Sequence, residues 1–187
     1  MLRWPLLLML AVLLPMQPAA LPDGPAYTSD GQLKYPTGYP EWVFLGAGLD
    51  MSYTSDTEMS MGSMFNSVFV NPSAYRAFKQ TGHWPEGTVM VLENRGATGA
   101  SSINKRGKTE TSEVMGMEVH VKDSAHLKSG WAFFNFGNPG DKTSSGKLIP
   151  PPASCYTCHE AHAAVDTTFV QFYPTLLPVA REKHTLR

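Results

Sequence analysis

The stretch VMGMEVHV, residues 114–121, is the strongest structural signal in the chain because its apolar and polar residues alternate. A period of two places successive side chains on opposite faces of a β-strand, so one face of this strand is predicted to be buried. The other face carries Glu118 and His120, and we interpret it as a solvated face. The apolar face carries Met115, Met117, Val119 and Val121.

Strands are also predicted on both sides of this stretch, at residues 68–70, 88–92 and 131–136, where β-branched and aromatic residues are concentrated. Residues 95–113 hold many Gly, Ser, Asn, Lys and Thr, and this composition predicts a long, mobile hairpin loop. Residues 137–152 are rich in turn-forming residues in the same way. Successive strands separated by loops favour an antiparallel sheet.

Helices are predicted at the two ends of the strand region. Residues 73–82 have a helical pattern with Ser73 as the N-cap and Gly82 as the end of the helix, and a short helix is predicted at residues 39–45. A further helical region begins at Tyr156. The predicted fold class is therefore α+β, an antiparallel β-rich single domain with flanking helices.

The C-terminal region is predicted to be helical in separate pieces. Pro174 and Pro178 are expected to interrupt it, because proline has no backbone N–H to donate within a helix. Asp166 precedes two threonines and is predicted to be the N-cap of the closing helix. His162 follows His159 by three residues and is predicted to be an exposed helix side chain.

The overall composition limits the class of function. The chain has 187 residues, a formal net charge of −1 and a pI near 6.6, and no basic stripe is present, so we expect no nucleic-acid partner. A chain of this length is well served by one hydrophobic core. Residues 21–40 are rich in Pro, Gly, Tyr and Asp and are predicted to form an extended arm on the surface.

The N-terminus has the pattern of a secretory signal peptide. Arg3 supplies a positive charge, an apolar run follows from Trp4 to Leu14, and small residues come after it. The run is shorter than the roughly 20 residues that a membrane-spanning helix needs. We therefore predict a cleaved signal peptide at residues 1–20, a mature domain at residues 21–187, and a periplasmic location.

The chemistry of the chain is concentrated in the stretch CYTCH, residues 155–159. C-x-x-C-H is the attachment signature of a c-type haem. Two thiols one helical turn apart can form thioethers with the two vinyl groups of one porphyrin, and the following histidine can offer a nitrogen to the iron. We therefore predict one covalent haem c per chain, bound by Cys155 and Cys158, with His159 as the axial iron ligand. Export agrees with this prediction, since the haem is attached after secretion.

Three other interpretations of the motif remain open from the residues alone. Cys155 and Cys158 have the spacing of a redox disulfide, although no βαβ pattern surrounds them. A structural disulfide with an unrelated histidine is the second interpretation. The third is a zinc site formed by the two cysteines with His159 and His162, which would crowd four ligands into eight residues.

Several other stretches extend this pattern over most of residues 35–177, and in their order and spacing the chain resembles the cytochrome P460 family, which includes cytochrome c′-beta. The resemblance implies a β-rich, single-haem, dimeric cytochrome whose iron has five ligands, with His159 on the proximal side and an open distal face. The matching stretches are 68–72, Tyr75, 79–82, 87–91, 121–124, 131–133, 155–159, Asp166, Phe169 and 172–174.

One position separates the functions known within that family. The members that oxidise hydroxylamine carry a lysine cross-linked to the haem edge, and the corresponding residue here is Leu92; Lys105 and Lys108 come later, in the predicted loop. The chain is thus more similar to cytochrome c′-beta, which binds small gases. We expect it to bind nitric oxide or a related nitrogen oxide, or to exchange electrons with a cytochrome partner.

Two alternatives stay open beside this expectation. A hydroxylamine-oxidising or nitric oxide-oxidising enzyme is the first, in which Glu118 could accept a proton. A six-coordinate electron carrier is the second, with Met115 or Met117 as the sixth ligand, although methionines on a buried strand face usually fill gaps in the core. The candidates for an apolar lid over the distal face are Phe133, Phe65 and Met64.

Overall fold

The alternating stretch lies within the longest strand of the protein, β5 (Lys108–Lys122), as its period of two predicts. β5 pairs antiparallel on one side with β4 (Thr88–Gly99) and on the other with β6 (Trp131–Asn135). The predicted strands at 88–92 and 131–136 are confirmed, and they are the immediate neighbours of β5 in the sheet.

Four further strands complete a seven-stranded antiparallel sheet in the order β1-β7-β6-β5-β4-β3-β2. The computed structural model describes residues 22–51, 62–99, 103, 105–137 and 145–187, so the predicted signal peptide at 1–20 lies outside the described residues. The four strands are β1 (Leu33–Lys34), β2 (Val43–Leu49), β3 (Met64–Val70) and β7 (Ser145–Leu148).

In the part of the chain that the structure describes, three helices pack on one face of this sheet, which we call the helix face. They are α1 (Pro72–Thr81), α2 (Ser154–His162) and α3 (Leu177–Glu182), with single 3-10 turns at Tyr39–Glu41 and Val170–Phe172. The α+β architecture is confirmed. In the described part of the chain, no helix has both the length and the apolar character needed to span a membrane. The core under the helices includes Val70, Phe78, Trp84, Met90, Trp131, Val170, Leu176 and Ala180.

The opposite face of the sheet, the arm face, is covered by the N-terminal arm. Leu33 and Tyr39 of the arm are almost fully buried there, so the predicted surface arm contributes to the core. Residues directly opposite each other in an antiparallel pair share a face, so pairing tells which face each side chain occupies. The arm face carries Val89, Val91, Met117, Val119, Val121, Ala132 and Phe134. The helix face carries Met90, Leu92, Glu118, His120, Lys122, Trp131 and Phe133.

Helix α1 begins one residue before the predicted cap. Asn71 is the N-cap and Pro72 fills the first turn, where a missing N–H costs nothing because that group has no partner inside the helix. Ser73 is therefore inside the helix, and the prediction that it is the cap is wrong. Its N–H donates to Asp23 Oδ2 at 2.9 Å, and the Asn71 side chain donates to Asp23 Oδ1 at 3.2 Å. An acid from the N-terminal arm thus satisfies the start of α1.

Two segments predicted as helix and loop contain strands instead. Beyond the single turn at Tyr39–Glu41, the predicted helix at 39–45 becomes β2, because this edge of the sheet pairs with β3 and buries Leu45. The predicted loop at 95–113 is much shorter, since β4 and β5 continue as a paired ribbon to Gly99 and Lys108. The polar composition of these residues predicted a loop, because the side chains of this two-stranded ribbon are largely exposed and need not be apolar.

Two predictions about the C-terminal region are also wrong. Pro178 lies in the first turn of α3 and begins that helix instead of interrupting it, because proline is tolerated where no N–H is needed. Asp166 does not cap a helix. Its backbone has a φ of 51° within a tight turn, and its carboxylate lies 3.6 Å from the Lys122 ammonium of β5.

Replacement of Gly82 by alanine should destabilise the fold. Gly82 ends α1 at a φ of 75°, and a Cβ there would lie 2.7 Å from Lys183 Cβ. Gly31 has a φ of 81° with nothing within 4 Å of the added atom, so Gly31→Ala is a control for backbone strain alone. We expect Gly82→Ala to lower the free energy of unfolding by about 1–3 kcal/mol more than Gly31→Ala does, measured by chemical denaturation. Equal losses would contradict the clash.

Candidate functional site

Helix α2 holds the three motif residues in one turn of backbone. Cys155, Cys158 and His159 lie at spacings of three and four, which bring side chains to one side of a helix. No residue of α2 is fully buried, and both cysteines are half-buried and free of a disulfide. Burial raises the pKa of the Cys155 thiol, with a smaller contribution from the nearby Glu118 carboxylate. α2 therefore presents two free, half-buried thiols on one side of the helix.

The His159 ring is oriented by a hydrogen bond from its Nδ1 atom to the backbone oxygen of Thr167, at 2.7 Å. Because a carbonyl oxygen only accepts, Nδ1 carries the proton and the lone pair remains on Nε2. Burial lowers the pKa of His159, and the bond to Thr167 partly opposes this shift. A neutral imidazole with a free Nε2 and an anchored Nδ1 is the usual form of a metal-binding histidine.

Aromatic rings surround His159 on the helix face. The Phe169 ring centroid lies 4.3 Å from that of His159, and the Phe133 centroid lies 4.6 Å from it. Phe133 also meets Tyr156 edge-on, and the Tyr156 hydroxyl donates to the Ile149 oxygen at 2.8 Å. This hydroxyl accepts the Phe133 N–H at 3.3 Å, so α2 is fastened to strand β6 beside the motif.

His120 is buried beside His159, although its face of the strand was predicted to be solvated. The predicted solvated face is confirmed for Glu118, which is exposed, but His120 is only 7% exposed. Its ring stacks on Phe133 at 4.0 Å and 8°, and its centroid lies 5.1 Å from that of His159. Burial, with the nearby His159, puts the pKa of His120 well below its ordinary value. The predicted alternation was correct, but α2 and residues 165–168 cover only part of the helix face, so His120 is buried and Glu118 is not.

The 165–168 loop, residues Val165–Thr168, presents the Thr167 oxygen to His159. A bridge between Val165 and Thr168 closes this loop, and the Thr168 hydroxyl donates to the Val165 oxygen at 2.8 Å. Trp84 Nε1 donates to the same hydroxyl at 2.8 Å. Asp166 forms an ion pair with Lys122, so the residues on both sides of Thr167 are held in place. Trp131 and Phe133, which alternate on β6 and so share the helix face, were the one sequence signal of a cover here.

Leu92 lies on the helix face, directly opposite Val68 on β3 and Glu118 on β5. Its side chain is half-buried and belongs to neither core cluster, so it borders the open part of this face. Strand β4 carries no lysine. Lys108 lies at the start of β5, where its ammonium contacts Ser63 and lies 3.9 Å from Asp50.

The predicted distal candidates separate between the two faces. Phe133 packs against His159 itself, so it supports the proximal side and does not form a distal lid. Phe65 pairs with Arg95, whose guanidinium binds Glu93 on the arm face, and this places Phe65 away from the site. Met64 pairs with Gly96 and lies on the helix face. Met64 is therefore the one candidate of the three that shares the helix face without contacting His159.

The predicted methionine ligands also differ in position. Met117 is 5% exposed within the arm-face core, so the sheet separates it from His159 and it cannot ligate the same iron. The Met115 sulfur lies beside Gly96 in the β4–β5 ribbon. Among the residues that the structure describes, no three His, Cys, Asp or Glu side chains are arranged to hold a metal ion, so the zinc interpretation gains no support. His162 is exposed, as predicted.

The residues around the motif fit a flat, mostly apolar group attached through the two thiols. Phe169 is only half-buried although it contacts His159, and its neighbour Phe172 is 48% exposed. Leu92 and Val68 are half-buried on the same face of the sheet, so apolar side chains on this face are incompletely covered. A porphyrin would cover this surface, accept two thioethers from α2 and receive one nitrogen ligand.

Comparison with known proteins gives a family match. The family model described as Cytochrome P460 matches residues 36–170, which is more than half of the chain. The matched range includes β2 through β7, α1, α2 and the 165–168 loop. No curated protein matches the chain.

Proposed function

We propose, on the premise that the chain belongs to the cytochrome P460 family and is a haem-binding cytochrome, that it is an exported c-type protein with a reactive iron. It binds nitric oxide or a related small nitrogen oxide, passes electrons, or does both. One observation carries the proposal: the hydrogen bond from His159 Nδ1 to Thr167 leaves Nε2 free to ligate a metal, on the helix that bears both thiols.

In this proposal Cys155 and Cys158 hold one haem c per chain through thioether bonds, and His159 is the proximal ligand. The haem supplies a redox-active iron with an open sixth position for a small ligand. The chain keeps His159 neutral by burial and fixes its ring through Thr167. Phe133 and Phe169 pack on the His159 ring and would keep water away from its bond to the iron.

The apolar environment of the site supports a small neutral ligand over an anion. Leu92 and Val68 are apolar and half-buried on the helix face, and Leu92 stands where the hydroxylamine-oxidising relatives have a lysine. An apolar wall disfavours a charged ligand, which would lose its hydration without gaining a partner. An uncharged diatomic molecule carries no such penalty, and nitric oxide is the ligand of this kind that the proposal names.

Nitric oxide titration of the reduced holoprotein tests this role. We expect the visible absorption spectrum of the ferrous protein to change with saturable, one-to-one stoichiometry, because His159 would be the one protein ligand of the proposed haem and would leave a position for a small molecule. In a matched titration, the Leu92→Lys variant should bind nitric oxide more weakly or give an altered spectrum, since the substitution places an ammonium group on the apolar helix face. A reduced wild-type protein whose spectrum does not respond to nitric oxide would remove the ligand-binding role.

Hydroxylamine oxidation is the second candidate function, and one observation favours it. Glu118 is exposed on the helix face opposite Leu92 and close enough to raise the pKa of Cys155, so a proton acceptor lies near the attachment site. Steady-state turnover of hydroxylamine with an artificial electron acceptor, lost in Glu118→Gln, would support it. A haem mass equal to thioether attachment alone weighs against a further cross-link.

The other predictions about the molecule remain proposals. Residues 1–20 direct export to the periplasm, where a cytochrome is the electron partner. The protein is proposed to be a homodimer, and β2, an uncharged seven-residue strand at the edge of the sheet, is a surface that a second copy could use. Met115 is the remaining candidate for a six-coordinate carrier, which a methionine-to-iron charge-transfer band would reveal.

A further inference from the structure

Thr167 touches both histidines of the site. Its backbone oxygen accepts the hydrogen bond from His159 Nδ1 at 2.7 Å, and its hydroxyl oxygen lies 3.2 Å from His120 Nε2. His120 and Thr167 are 47 positions apart in the chain, so this contact forms only in the folded sheet. The orientation of one peptide unit therefore connects a strand of the sheet with the proposed iron ligand.

His120 is a rigid anchor for this contact. Its ring lies nearly parallel to that of Phe133, with a centroid distance of 4.0 Å. Its centroid is also 4.4 Å from that of Trp131, which precedes Phe133 by two residues on the same face of β6. Burial keeps the ring neutral, so it has one nitrogen that donates and one that accepts. Either form can bond the Thr167 hydroxyl, which both donates and accepts. Packing alone would be served by a phenylalanine, so the nitrogen is the feature that needs an explanation.

The other anchors of the 165–168 loop act on the neighbours of Thr167. Lys122 holds Asp166, and Trp84 holds Thr168. Within the described part of the chain, the side-chain hydrogen bond of Thr167 goes to His120. His120 therefore acts on Thr167 itself, whereas the two flanking contacts act on its neighbours.

We propose that His120 is a positioning residue that acts through the Thr167 hydroxyl to fix the hydrogen bond on His159 Nδ1, and thereby sets the reduction potential of the haem iron. This inference rests on the proposed function. A strong bond from Nδ1 adds electron density to the imidazole, which makes it a better ligand for ferric iron and lowers the potential. A weaker bond has the opposite effect.

Four single variants of the holoprotein test this inference. His120→Phe keeps the aromatic stack and Thr167→Val keeps the side-chain volume, but each removes the bond; His120→Gln and Thr167→Ser retain a polar atom and are the conservative controls. The reduction potential is measured by spectroelectrochemistry and the ferrous iron–histidine stretching frequency by resonance Raman spectroscopy. Circular dichroism during thermal unfolding shows how far each variant changes stability.

We expect His120→Phe and Thr167→Val each to raise the ferrous-to-ferric ratio at a fixed potential by about tenfold. This is the smaller end of the effect seen when a residue that supports a metal ligand is replaced. For one electron this is about 59 mV. The iron–histidine frequency should fall, both controls should stay near the wild-type values, and the double variant should shift no further than either single variant, because both remove one bond.

A wild-type potential and frequency in His120→Phe and Thr167→Val, with only a lower melting temperature, would show a purely structural role and overturn the inference. If either disruptive variant fails to fold, the remaining one with its control decides the question in the same way. A wild-type protein without covalent haem would instead overturn the proposed function, and the inference with it. A coloured wild-type protein with unresponsive variants overturns the inference alone.

Discussion

Replacing Cys155 and Cys158 together by serine is expected to abolish covalent haem completely. A hydroxyl group is too weak a nucleophile to form the bond that a thiol makes with a vinyl group, and these are the two cysteines of the chain. The mass of the denatured protein should equal that of the polypeptide alone, and a denaturing gel should show no haem stain. Each single variant should keep one thioether, with a haemochrome band shifted by the remaining vinyl group.

Thr157→Ala is the matched control for the cysteine variants. Thr157 lies between the two cysteines on α2, its side chain is exposed, and its hydroxyl donates to the Ser154 oxygen at 3.1 Å. The control should therefore keep the full complement of haem. Haem that remains bound to the double serine variant after denaturation would contradict the assigned attachment site.

His159→Ala has the second largest expected effect, the loss of proximal ligation without unfolding of the domain. The truncation costs the fold the hydrogen bond to Thr167, about 0.5–1.5 kcal/mol, and the ring contacts with Phe133 and Phe169, but α2 has no fully buried residue and the core clusters do not include His159. The thioethers should keep the haem in place. The iron–histidine band of the ferrous protein should disappear from the resonance Raman spectrum, while circular dichroism stays close to that of the wild type.

Added imidazole and a neighbouring histidine provide the controls for this variant. Free imidazole can enter the gap left by His159→Ala and should restore an iron–nitrogen band. His162→Ala removes an exposed histidine from the same helix and should leave the spectrum unchanged. If His159→Ala kept the wild-type band, or if His162→Ala lost it, the proximal assignment would be wrong.

Local features of the chain were predictable because they depend on neighbours within a few residues. The period of two in 114–121 predicted a strand, and the spacing of Cys155, Cys158 and His159 placed all three on one turn of helix. Gly82 was predicted to end its helix because the left-handed conformation suits glycine, and it does so at a φ of 75°. Each of these outcomes requires no knowledge of the rest of the fold.

The errors arose where a distant segment covers or pairs with a residue. His120 lies on the predicted polar face, yet α2 and the 165–168 loop bury it, while Glu118 two residues earlier stays exposed. Ser73 is not the cap, because α1 begins at Pro72 with Asn71 as its N-cap. The Ser73 N–H is instead bound by Asp23, 50 positions away in the chain. Met117 was predicted as a candidate iron ligand, but it pairs with Glu93 and therefore lies on the arm face, away from His159.

The residues proposed to attach a haem and to ligate its iron can thus be named from the linear order of the chain, because a single helical turn brings them together whatever surrounds it. The group that orients the His159 ring cannot be named in this way. It is the backbone oxygen of Thr167, a residue whose hydroxyl contacts His120, 47 positions away on another element. Periodicity states which side chains share a face of a strand, but long-range packing selects which part of that face is covered and which carbonyl meets a given ring.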